Sequence, residues 1–102
     1  MSSTDVAVNA DGTIVISGSL SYDSAADLLA RTRDALRAGS GPATIDLRGV
    51  ERMDSAGLAL MVEWLRLARA AQRPLSFVHL SEQLCELIRV HDLGRTLGVN
   101  HV

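Results

Sequence analysis

Between Ala43 and Gln72 the spacing of apolar positions changes from a short run to a helical repeat. Ala43–Leu47 is a brief apolar run of strand length. Gly49 follows and is expected to end it in a turn. Asp54 and Ser55 then stand just before the repeat begins, where a helix N-cap belongs. Their side-chain oxygens suit the backbone N–H groups that the first turn leaves unpaired. From there Leu58, Met61, Val62 and Leu65 recur at i, i+3, i+4 and i+7, and Leu60, Trp64, Leu67 and Ala71 make a second, adjoining stripe. Glu63, Arg66 and Ala70 fill the narrow arc that remains. One apolar stripe covers a sheet; a second needs a neighbouring helix or another protein. Leu60 and Leu67 are expected in the core. Trp64 reads equally as core or as an interface anchor, a role in which tryptophan is enriched.

The rest of the chain alternates in the same way. Val6–Val8 is a short strand, Asp11-Gly12 a hairpin turn, and Thr13–Ser17 a β-branched strand. Gly18–Ser21 is expected as a connection. Asp23 or Ser24 is placed to cap the next helix, with Asp27 completing its start. Ala25, Leu28, Leu29, Thr32 and Leu36 line one face of that helix, Arg31, Arg33, Asp34 and Arg37 the other, and Gly39 ends it. Pro74 opens a strand, Leu75–His79. Ser81 caps a further helix in which Leu84, Leu87, Ile88 and His91 share a face, and Gly94 is expected to break it. Leu97–Val102 is a tail expected to form a last edge strand or to hang loose. The order β-β-α-β-α-β-α predicts an α/β domain, a mixed sheet with helices mainly on one face.

At 102 residues, one domain spanning 1–102 is expected. Aromatics are only 3%, so Leu, Val, Ile and Ala must build the core. The net charge of −2, with both signs interspersed, gives no basic stripe for nucleic acid. A single cysteine, Cys85, rules out an internal disulfide and suits a reducing compartment; it reads as a partly buried, inert thiol. No signal peptide is visible at Met1–Asp5, and no apolar run approaches the roughly 20 residues of a membrane span.

The search for chemistry yields little. There is no phosphate-binding Gly-rich loop ending in Lys-Ser/Thr, so the chain is not itself a P-loop ATPase. His79, His91 and His101 lack metal-ligand spacing with one another or with Cys85, and no metal or cofactor is expected. Ser55 lacks the Gly-x-Ser-x-Gly elbow of a hydrolase, and Asp46 and Asp54 read better as strand-end and cap residues than as a catalytic pair. Ser55 remains the one special polar residue: a helix cap by residue type, or a hydroxyl at a positively polarised helix end, open to contact or phosphorylation. Asp54 and Glu51 would add like charge beside a phosphate there.

Asp46, Leu47, Gly49 and Val50, followed by Asp54-Ser55-Ala56-Gly57, resemble the signature of STAS domains, the sulfate-transporter and anti-sigma-factor-antagonist family. The element order is similar to theirs over nearly the full chain. The resemblance implies a non-catalytic binding domain whose strand, loop and helix form the binding surface, with the Ser55 position regulatory. Two branches of the family fit. The short chain, the Leu58–Leu65 helix stretch and the Gln83–Leu93 segment look like the small STAS subunit of an Mla-type phospholipid ABC transporter. That likeness implies a cytoplasmic protein at the inner-membrane face, bound to the ATP-binding subunit of a complex that contains a membrane permease. Such a complex maintains outer-membrane lipid asymmetry. The alternative is a free-standing anti-sigma-factor antagonist, partner of an anti-sigma serine kinase and switched by phosphorylation at Ser55. Those proteins usually carry a longer C-terminal helix. In both, Arg52, Met53, Asp54, Ser55, Ala56 and Gly57, with Leu58, Met61 and Trp64 as an apolar flank, are the expected partner-binding residues. Gly57 is expected to permit close approach, having no side chain.

Overall fold

In the computed structural model, which describes residues 4–99, every second residue of one central strand enters the core. In this strand, β2 (Ile14–Leu20), Ile14, Ile16, Gly18 and Leu20 are buried, while Val15, Ser17 and Ser19 sit half-exposed on the opposite face. The period of two is that of a sheet with one covered face. β1 (Asp5–Val8) runs antiparallel to β2, with Val6 opposite Ile16. β3 (Ala43–Met53) and β4 (Leu75–Val78) continue the sheet in parallel, giving the spatial order β1-β2-β3-β4.

The parallel crossovers carry helices α1 (Tyr22–Ala38) and α2 (Ser55–Ala70). Right-handed connections place both on the same side. α1 covers β1 and β2, α2 covers β3, and the two helices pack on each other. α3 (Glu82–Val90) and the short α4 (Gly94–Leu97) then pack against α2. The result is the mixed α/β sheet with helices on one face, with α4 as an added turn of helix.

Several local expectations are corrected. β2 does not stop at Ser17: Gly18, Ser19 and Leu20 pair with Val50, Arg52 and Met53. β3 does not end at Leu47 in a glycine turn. It spans 11 residues and runs on to Met53, and Gly49 lies within it. A Cβ there would stand 2.8 Å from Ser17 Cβ and 3.2 Å from the Ile16 carbonyl oxygen, so the glycine lets two strands meet at an irregular register. The cap of α1 is Ser21, not Asp23 or Ser24. Ser24 Oγ accepts the Ser21 N–H at 3.0 Å and donates to the Ser19 carbonyl at 2.8 Å, while Asp27 pairs with Arg31 instead. Ser81 caps α3 as expected, accepting the Leu84 N–H at 3.1 Å. His91 ends that helix exposed rather than sharing its buried face, and Gly94 opens α4 rather than breaking α3. In the tail, Leu97 belongs to α4 and Val99 is buried; positions 100–102 of the expected edge strand lie outside the described residues. Cys85 is half-buried in α3.

One buried cation anchors the end of the sheet remote from Ser55. Arg73 donates from Nη1 to the Leu36 carbonyl at 2.8 Å and from Nε to the Gly41 carbonyl at 2.9 Å. It satisfies a carbonyl in the last turn of α1 and places positive charge at the negative end of that helix.

Candidate functional site

The stretch from Met53 to Ser55 is held by three elements. The Asp54 N–H donates to the Leu20 carbonyl at 3.2 Å, tying it to the end of β2. Gln83 at the start of α3 donates from Nε2 to the Met53 carbonyl at 3.2 Å. Asp54 then caps α2, its Oδ1 accepting the Ala56 N–H at 2.8 Å. With the cap supplied by Asp54, the Ser55 hydroxyl is freed from that duty. Ser55 is the first residue of α2 and is exposed.

The expected partner-binding residues divide sharply. Arg52, Asp54 and Ser55 are exposed, and Ala56 partly so. Met53 and Gly57 are buried. Gly57 packs inward on Met53 and Leu20, and no partner can approach it. The apolar flank is corrected altogether: Leu58 is 4% exposed, and Met61 and Trp64 are 0% exposed. Both stripes of α2 are core because the sheet, α1, α3 and α4 surround that helix. The indole N–H of Trp64 has no hydrogen-bond partner among the described residues, so its burial is an apolar packing contact.

What lies beside Ser55 instead is an apolar groove of about 630 Å³ between α1 and α2. Tyr22, Ala25, Ala26 and Leu29 form one wall; Ser55, Ala56, Ala59, Leu60 and Glu63 form the other, with Asp54 at its end. Tyr22 is 87% exposed. Sequence reasoning missed the α1 wall and Ala59. Tyr22, the chain's single tyrosine at the mouth of a helix, was the available signal; the alanines carry almost none, being at home on any helix face. A smaller polar hollow of about 330 Å³, lined by Ser19, Ser21, Arg52 and Asp54, adjoins at the ends of β2 and β3.

A second polar cluster lies between β3 and the end of β4. Asp46 Oδ1 accepts the Arg48 N–H at 2.8 Å and lies 3.0 Å from His79 Nδ1; Arg48 Nη2 lies 2.7 Å from His79 Nε2. Burial pushes the Asp46 carboxyl up, but the Arg48 N–H and His79 outweigh it and hold the group below its ordinary value. His79 Nε2 faces a guanidinium where a hydrolase would place its nucleophilic hydroxyl. Among the described residues, no cluster of His, Cys, Asp and Glu is arranged to hold a metal ion, and no helix is long and apolar enough to cross a membrane.

This architecture, a mixed sheet carrying its helices on one face with an exposed serine at the start of the second helix, defines a STAS-type binding domain. The chain belongs to the STAS family: a family model described as "Mlab, STAS domain" matches residues 4–99. Solved structures repeat the fold. The anti-sigma-factor antagonist SpoIIAA in its unphosphorylated form shares 18% identity, with 85% of this chain and 82% of that one covered and a TM-score of 0.63. A STAS-domain anti-sigma-factor antagonist protein from Planctomyces limnophilus shares 20% identity over 91% of this chain and 85% of its own, with a TM-score of 0.67. A STAS domain from Rhodobacter sphaeroides shares 18% over 76% and 86%, with a TM-score of 0.57. No curated protein matches significantly.

Proposed function

We propose that this chain, acting as one STAS domain over 1–102, is the small STAS subunit of an ABC-type phospholipid transport system. In this reading it binds and regulates the cytoplasmic ATP-binding subunit, itself joined to a membrane permease, and helps maintain outer-membrane lipid asymmetry. It works without catalysis, cofactor or membrane insertion, as a cytoplasmic protein peripheral to the inner membrane. The observation that carries the reading is the match of an Mlab-type STAS model to residues 4–99. The exposed Ser55 and the groove beside it supply the docking face: Arg52, Asp54, Ser55 and Ala56 from the expected set, with Tyr22, Ala26 and Ala59 added.

A second reading, an anti-sigma-factor antagonist switched by phosphorylation at Ser55, is favoured by one feature. The Ser55 hydroxyl is exposed at a helix start, on a fold shared with proteins of that description. Affinity purification of the tagged chain from its own cells, in mild detergent, with mass spectrometry, separates the two. An ABC ATPase recovered with its permease supports the first. A serine kinase recovered together with phosphate on Ser55 overturns it in favour of the second.

A further inference from the structure

The groove beside Ser55 has a shape and a charge that specify its occupant. Its two walls are helix faces. Tyr22, Ala25, Ala26 and Leu29 are spaced i, i+3, i+4 and i+7, and Ser55, Ala59 and Glu63 are spaced i, i+4 and i+8. α1 and α2 run in the same direction, since each returns from one of the parallel strands β2 and β3. Ala25, Ala26, Ala56 and Ala59 keep the floor shallow, so a third helix can approach to ordinary packing distance, about 8–10 Å between axes.

The charged residues lining the groove are Asp54 at one end and Glu63 further along, both acidic; no arginine lines it. They are nine positions apart, or roughly 13 Å along α2 at 1.5 Å per residue. Glu63 Oε1 is bonded to Arg66 Nη1 at 2.6 Å, but this is an exposed i,i+3 pair, which a docked cation readily displaces. An anionic lipid surface would meet two carboxylates here and be repelled.

We infer that the groove receives an amphipathic helix of the partner protein. Its apolar residues, at i, i+3 and i+4 spacing, lie on the alanine floor. Arginine or lysine side chains about two and a half turns apart meet Asp54 and Glu63. The inference rests on the reading of this face as a docking surface and names the chemistry of what docks.

All ten basic residues of the chain are arginines, so amine-reactive crosslinkers find no lysine on it. The test therefore places a photo-reactive amino acid at the exposed position of Ala59, in the full tagged chain in its own cells, and maps the crosslinked peptide. The expected adduct is on a partner segment of helical periodicity with basic flanks. An adduct on a second copy of this chain, on lipid, or on an extended or acidic segment overturns the inference.

The captured partner then serves as the probe for Glu63→Lys, whose position at the rim leaves the fold unchanged by circular dichroism. Glu63→Lys is expected to weaken binding about tenfold at low salt and to flatten its salt dependence; unchanged affinity overturns the inference. The two proposals fail separately. A kinase crosslinked through a basic helix sinks the transporter reading and keeps the inference. An ATP-binding subunit that copurifies but never crosslinks from position 59 does the reverse.

Discussion

Gly57 lies directly against Met53: a Cβ on the glycine would stand 2.6 Å from Met53 Cε and 3.2 Å from Met53 Cβ. The first turn of α2 thus sits on the last residue of β3 with no room for a methyl group. Leu20 Cβ, 3.4 Å away, closes the third side. Met53 Cε can swing aside, but the Cβ atoms move only with their backbones. Gly57→Ala is therefore expected to lower stability by about 1–3 kcal/mol. For a domain of this size each kcal/mol is worth roughly 4–8 °C in Tm. Thermal unfolding checks it; an unchanged Tm means that α2 is seated less tightly on β3 than the geometry says.

Trp64 offers a cleaner separation of packing from polarity. It is fully buried and its indole N–H has no partner among the described residues. Trp64→Phe removes a donor that bonds to nothing and leaves a modest void, so it is expected to cost well under half of what Trp64→Ala costs. The alanine variant should lose about 3–5 kcal/mol. Denaturant unfolding of both variants is the measurement. Equal losses would show that the indole N–H has a partner, a buried water being the simplest.

The fate of Trp64 also shows where the sequence was legible. Periodicity marked which residues of α1 turn inward, and Leu28, Thr32 and Leu36 are buried as expected. It likewise marked two apolar stripes on α2. Periodicity states that a stripe needs cover, not what covers it. That is decided by α1, α3 and α4, elements distant in sequence. The length of β3 was hidden for a related reason. Gly49 reads locally as a breaker, yet its lack of a side chain answers to Ser17, 32 positions earlier. The groove was least visible, because alanines signal neither burial nor contact. Of the motif Asp54-Ser55-Ala56-Gly57, the helix start was readable, with Asp54 or Ser55 as its cap, whereas Gly57 was expected to admit a partner and instead packs on Met53 and on Leu20, 37 positions earlier.

Asp46 makes stability depend on pH in a definite sense. Its folded carboxyl titrates below the ordinary value of 3.8, held there by the Arg48 N–H and His79 against the opposing effect of burial. Between those two values the unfolded chain binds more protons, so stability rises with pH across that window. The contribution is complete above about pH 5 and is lost as pH falls through the folded value. Asp46→Asn should cost about 1 kcal/mol near neutrality. The difference from the parent should close in acid. Urea unfolding at several pH values checks it; a gap that stays constant down to about pH 3 would show that Asp46 acts through shape alone.

Ser55 is the place where folding and docking come apart. The residue is exposed, and Asp54 rather than Ser55 caps the helix, so neither Ser55→Ala nor Ser55→Glu should lower Tm appreciably. A carboxylate in the first turn even complements the helix dipole. Docking is the opposite case. Ser55→Ala loses at most one hydrogen bond, about 0.5–1.5 kcal/mol of binding. Ser55→Glu puts a second, bulkier carboxylate beside Asp54 in the proposed contact. The partner's one cation at that end is already engaged by Asp54, so the added charge must be desolvated without a counter-ion, and the variant is expected to cost about 2–5 kcal/mol. The measurement is the affinity of each folded variant for the copurified partner, at fixed salt. If Ser55→Glu binds as tightly as the parent, the start of α2 is not where the partner sits, and the open face of the sheet around Ser17, Thr44 and Asp46 becomes the surface to test.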